Sequence, residues 1–135
     1  GDAEPVPLEQ REEIARINAT PGGEAKLRLY GAGYAERARR VVPIHLLVRD
    51  AATTDPGAAE ILRQLDDERL TGMTHFATHL HEAGALREGI GVATARDVLW
   101  TFTSPELYEL FVIRRGWPPG RFASWLTDQL VAALA

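Results

Sequence analysis

The sequence predicts an all-α fold, a helical bundle of about six to seven helices. Three observations carry that prediction. Apolar residues recur three and four apart along most of the chain and nowhere alternate over a strand's length. A polar residue followed by proline, a pairing suited to helix starts, recurs at Thr20-Pro21, Asp55-Pro56 and Ser104-Pro105. The two most apolar stretches, Asp97 to Thr103 and Pro105 to Phe111, meet across Ser104 with almost no loop. No repeat period is evident.

Residues 1–23 read as a connector, because Pro5 and Pro7 disfavour helix at the positions before them. One short helix fits there, from Leu8 to Asn18, with Ile14 and Ile17 as its docking residues. Thr20-Pro21-Gly22-Gly23 breaks the chain, and Thr20 is positioned to start the next helix. Residues 24–135 then form the main domain. From Glu24 the set Leu27, Tyr30, Tyr34, Ala38 and Val41 marks one helical face. Proline removes a backbone donor and crowds the preceding turn, so this helix is expected to stop or kink at Pro43 and a short one to resume from Ile44 to Ala52. Asp55-Pro56 opens the longest helix, which runs to Gly84, a residue suited to the left-handed conformation that ends helices. Its stripe of Leu62, Leu65, Met73, Phe76 and Leu80 is interrupted by Arg69, and a charge on a buried face needs a partner or a ligand.

After Gly89-Ile90-Gly91, helix is expected from Val92 to Thr103, then from Pro105 to Arg115, ended by Gly116. The last helix starts near Pro119, behind a Pro118 that has no capping oxygen. It carries Phe122, Trp125, Leu126, Leu130, Ala133 and Leu134 on a stripe broader than one buried face requires. That surplus predicts self-association through the last two helices, with Leu107, Tyr108, Phe111, Phe122, Trp125, Leu126, Gln129, Leu130 and Leu134 at the interface.

The 135 residues amount to one domain, large enough for a core without disulfides or metal. The absence of cysteine excludes thiol nucleophiles, thiolate zinc sites and iron–sulfur clusters, and fits a reducing, cytoplasmic setting. No apolar run approaches the roughly 20 residues of a membrane span, and no signal-peptide pattern opens the chain. Net charge is −4. The arginines cluster no further than the pairs Arg39-Arg40 and Arg114-Arg115, so the phosphate neutralisation that nucleic-acid binding requires has no footing here. Gly1 in place of Met suggests a chain processed or excised from something longer.

Few residues carry chemistry. His75 and His79, four apart, project to one side of a helix and make an alternative metal site, but neither Cys nor the His-Glu-x-x-His arrangement accompanies them, and His81 points elsewhere. Gly31-Ala32-Gly33 and Gly89-Ile90-Gly91 follow no strand and lack a third glycine, so neither is a dinucleotide fingerprint. Gly31 and Gly33 instead suggest a bend or the close approach of another backbone. Asp66-Asp67-Glu68 reads as the wet side of its helix. No catalytic arrangement stands out, and no cofactor is expected. A mixed apolar and polar cavity would be lined by Tyr30, Tyr34, His45, Arg49, Arg69, Met73, Phe76, Trp100 and Phe102.

The segment Asp97-Val98-Leu99-Trp100 through Thr103-Ser104-Pro105-Glu106-Leu107-Tyr108, with Arg114-Arg115-Gly116-Trp117 and Phe122-Ala123-Ser124-Trp125-Leu126, resembles the C-terminal half of tetracycline-repressor (TetR) family transcriptional regulators. Leu27-Arg28-Leu29-Tyr30, Asp50-Ala51-Ala52, Asp55-Pro56 and Glu82-Ala83-Gly84-Ala85-Leu86-Arg87 extend the resemblance, and Glu4-Pro5-Val6-Pro7-Leu8 is similar to the connector after that family's DNA-binding domain. The resemblance implies a repressor that dimerises through a four-helix bundle and releases DNA when a small-molecule effector fills its pocket. The helix-turn-helix domain that touches DNA in that family has no counterpart in this sequence. From outside that class, the alternatives are a small helical metal-binding protein or enzyme using His45, His75 and His79, or a dimeric scaffold without a ligand.

Overall fold

The computed structural model describes residues 8–135. The part of the connector formed by residues 1–7 lies outside them. The described residues are all-helical, with no strand. Five α-helices of eleven or more residues, α1 (Leu8–Ala19), α2 (Gly23–Ala51), α3 (Pro56–Glu82), α4 (Val92–Phe102) and α6 (Pro119–Leu134), are joined by a short segment, α5, that starts as α-helix at Pro105–Tyr108 and widens into a π turn at Glu109–Arg114.

Local chemistry accounts for several of these boundaries. Asp55 Oδ1 accepts a hydrogen bond from Gly57 N at 2.8 Å, with Pro56 in the first turn of α3. Ser104 Oγ accepts from Leu107 N at 3.3 Å, with Pro105 in the first turn of α5. Gly84 and Gly116 both adopt positive φ, the conformation in which a β-carbon would be strained, and they follow α3 and α5. Thr20 does not start α2. Its hydroxyl donates to the Arg16 carbonyl at 2.7 Å, closing the end of α1, and Gly22 precedes α2 with no side-chain cap.

Pro43 does not divide α2, contrary to the sequence expectation: one helix runs through it for 29 residues. An interior proline costs about 3 kcal/mol. On either side of it Ala38, Val42, His45 and Leu46 are buried on one face, and each large apolar side chain so buried returns roughly 1.5–3 kcal/mol. Pro43 itself is exposed, so its ring crowds water and not the core.

The core lies where α2 crosses α6, the most extensive contact in the molecule, with α3 and α4 closing the other side. Leu27, Leu80, Leu99, Phe122, Leu126 and Leu130 are fully enclosed there. Gly31 permits the crossing, since a β-carbon on it would overlap the Thr127 side chain. The α3–α4 loop is tied to the end of the chain by Arg87 N, which donates to the Leu134 carbonyl at 2.7 Å.

This arrangement changes the meaning of the broad stripe on α6. Phe122, Leu126, Leu130 and Leu134, together with Tyr108 of α5, are buried within the single chain, so they build core and present no surface to a second copy. Of the predicted interface, Leu107, Phe111, Trp125 and Gln129 stay partly exposed. Phe111 sits 4.7 Å from both Trp117 and Trp125, ring centre to ring centre, in an aromatic cluster at the wide end of α5.

Candidate ligand-binding site

A cleft of about 230 Å³ lies beneath α1, walled by α2 and α3. Its floor is aromatic: the Tyr30 and Phe76 rings meet at 5.1 Å, with Met73 beside them. Its roof is the underside of α1, which contributes Ile14 and Ile17. Ile17 is the one buried residue of α1, so the helix docks by a single apolar anchor and a few polar ties.

The first polar tie is Lys26, the only lysine in the sequence. It is 3% exposed, and its Nζ donates to the carbonyls of Ile17 and Asn18, both at 3.1 Å, and to His79 Nε2 at 2.9 Å. All three ammonium protons are thereby matched. Two go to carbonyls at the end of α1, where a helix leaves acceptors unpaired and its dipole is negative. The third requires an acceptor, so His79 is neutral with its proton on Nδ1. Burial and the adjoining ammonium hold the His79 pKa below its ordinary value.

The second tie is an ion pair between Glu13 of α1 and Arg37 of α2. Their side chains are 19% and 28% exposed. Arg37 is also held by its own helix: it donates to the Tyr30 carbonyl at 3.3 Å, and its guanidinium lies 4.9 Å from the centre of the Tyr30 ring. Burial pushes the Tyr30 hydroxyl above the usual tyrosine range. On the α3 wall of the cleft, His75 is exposed, one turn before His79.

Of the nine residues expected to line a cavity, Tyr30, Met73 and Phe76 line this cleft, and the others are placed elsewhere. Arg69 finds the partner its position demanded, donating to the Trp100 carbonyl at 2.7 Å and to Thr103 Oγ1 at 3.2 Å, so it caps the end of α4. Its guanidinium lies over the Trp100 ring, and burial lowers its pKa. Arg49 forms a two-pronged pair with Glu109 at 3.0 and 3.1 Å, fastening α2 to the π turn and holding the Glu109 carboxyl below its usual range. His45 is buried with Nε2 3.3 Å from Asp66. Phe102 packs on Trp125 at 6.2 Å. Tyr34 is core, and its hydroxyl and the Trp100 indole nitrogen are buried without a hydrogen-bond partner among the described residues.

The three histidines of the metal-binding alternative do not converge. His45 faces Asp66, His79 is engaged by Lys26, and the described residues hold no group of three or more His, Asp or Glu suited to an ion. Sequence reading missed Glu13, Arg37 and Lys26. For Lys26 a signal existed: the one lysine among fourteen arginines stands directly before Leu27 of the buried stripe. Glu13 and Arg37 lie on different helices, 24 residues apart, and nothing local pairs them.

A second hollow, between α2 and α6, is larger, at about 460 Å³, and more open. Its lining mixes small residues such as Gly31 and Ala123 with the polar Arg28, Ser124, Thr127 and Asp128, and Arg28 and Asp128 already pair with each other at 3.1 Å. No described helix is long and apolar enough to cross a membrane. The chain matches no family model, no curated protein and no solved structure.

Proposed function

We propose that this chain is the effector-binding and homodimerisation portion of a small-molecule-responsive transcriptional repressor of the TetR type, with DNA contact made by a helix-turn-helix domain outside these residues. The observation that carries the proposal is the cleft itself. Three residues singled out as cavity-lining, Tyr30, Met73 and Phe76, come together from α2 and α3 under a helix that is lightly anchored. An apolar, aromatic slot with a few charged groups at its ends has the character of a small-molecule site.

The mechanism follows from how α1 is held. A guest beneath α1 favours one seating of that helix over another, and differential affinity for the two seatings couples the cleft to whatever α1 is joined to. Couplings of this kind are typically about 1–3 kcal/mol, comparable to one charged hydrogen bond and a few apolar contacts. The second copy is supplied by the wide end of α5 and the adjoining part of α6. There Leu110 and Ile113 are 48% and 55% exposed beside the partly exposed Leu107, Phe111 and Trp125.

A thermal-shift screen of small aromatic compounds, run with light scattering on the same sample, tests this. A ligand at one hundred times its Kd should add roughly 2.7 kcal/mol to stability, a rise of several degrees in Tm. The scattering mass should be that of two chains at micromolar concentration. A monomeric mass together with an unresponsive Tm across the screen would overturn the proposal.

A further inference from the structure

Resting on the small-molecule reading of the cleft, we propose that Glu13 is a built-in stand-in for a ligand carboxylate, and that the cleft takes a small aromatic carboxylate whose anionic group replaces Glu13 at Arg37. The two members of this ion pair are not equally fixed. Arg37 keeps the Tyr30 carbonyl and the face of the Tyr30 ring whether or not Glu13 is present. Glu13 has Arg37 as its only hydrogen-bond partner among the described residues and stands on α1, most of whose residues face water. When the pair opens, the carboxylate leaves and the guanidinium stays.

Charge bookkeeping then selects the ligand. Exchanging one carboxylate for another keeps the partly buried guanidinium paired, and the departing Glu13 is rehydrated. A cationic ligand would have to displace Arg37, which is held twice more by its own helix. A neutral ligand would gain apolar contact only. The guanidinium fork donates two parallel bonds to a carboxylate, which also orients the attached ring. That ring would lie on the floor formed by Tyr30, Phe76 and Met73, beneath Ile14 and Ile17 of α1. A cavity of about 150 Å³ holds a single benzene ring, so one of about 230 Å³ suits a ring with a short acidic substituent. Loss of the Glu13 tie leaves α1 held by Ile17 and Lys26, so the carboxylate loosens the helix that roofs its own site.

Calorimetric titration with benzoate and phenylacetate, set against their neutral amides, tests this in the wild-type chain, Glu13→Gln and Arg37→Gln. The carboxylates should bind the wild type at least about tenfold more tightly than the amides. Glu13→Gln should tighten the carboxylates by about tenfold without changing the amides, and Arg37→Gln should abolish the preference. Hydrogen exchange on the wild type needs no variant: saturating phenylacetate should speed exchange in α1, whereas the amide should not. Equal binding of acids and amides, with α1 exchange unmoved, would overturn the carboxylate proposal while leaving a neutral-ligand site standing. Binding of none of these probes, nor of any neutral compound in the thermal-shift screen, would overturn both.

Discussion

Gly31 shows how a single missing β-carbon positions two helices. The Thr127 side chain occupies the space a larger residue would need, and Thr127 is itself fixed by donating to the Ala123 carbonyl at 2.7 Å. Gly31→Leu is therefore expected to lower stability by about 1–3 kcal/mol in chemical denaturation. Gly72, by contrast, meets nothing that an added β-carbon would touch, and it lies inside α3. Gly72→Ala should raise stability by about 0.5–1 kcal/mol. His79 carries the pH dependence at this scale. Its pKa is lowered in the folded state, so between the ordinary value near 6.5 and that lower value the unfolded chain binds more protons. Stability should fall as pH drops through that window and stop falling on this account below it. His79→Gln offers Lys26 a neutral acceptor and should remove this component of the profile. Residue-scale demands were partly legible. An arginine within the α3 stripe announced that Arg69 needed a partner, but the partner, the Trp100 carbonyl, lies 31 residues away and only the fold supplies it.

At the scale of elements, α1 is the piece whose attachment is specific and slight. Lys26→Met would leave the carbonyls of Ile17 and Asn18 without their buried donor and His79 without its partner. Hydrogen exchange should then show α1 losing protection while α2, α4 and α6 keep theirs, since the core around Leu27, Leu99 and Phe122 is untouched. Helix starts were the most legible feature of the sequence, because Asp55-Pro56 and Ser104-Pro105 act on backbone groups two or three residues away. The course of α2 through Pro43 was not legible, because the opposing quantity is packing from helices distant in sequence. The π turn was hidden for a local reason: Leu107 to Ile113 is apolar on all sides apart from Glu109, so no periodicity marks the change of pitch.

For the whole molecule, the breadth of an apolar stripe says how much surface must leave water and not what covers it. The stripe on α6 was read as surplus for a second copy, and α2 of the same chain covers most of it. For the dimer proposed above, the part of the expected surface left uncovered is the edge with Leu110 and Ile113 and its partly exposed aromatics. Ile113→Glu with Leu110→Glu is expected to yield a monomer in light scattering at unchanged helicity. Ile44 and Leu47, 62% and 71% exposed on the outer face of α2, provide the control. If Ile44→Glu with Leu47→Glu dissociates the chain instead, the interface has been assigned to the wrong face.

Met73 is the sole methionine and stands in the cleft, so a methyl-labelled sample reports on the site through one resonance. Titrating that sample with each compound that raises Tm asks directly whether guests enter beneath α1. The Met73 methyl signal should shift in proportion to occupancy, and the shift should be lost in Phe76→Ala. A methyl signal that stays in place while the same compounds stabilise the chain would put the guest elsewhere and contradict the assignment of this cleft.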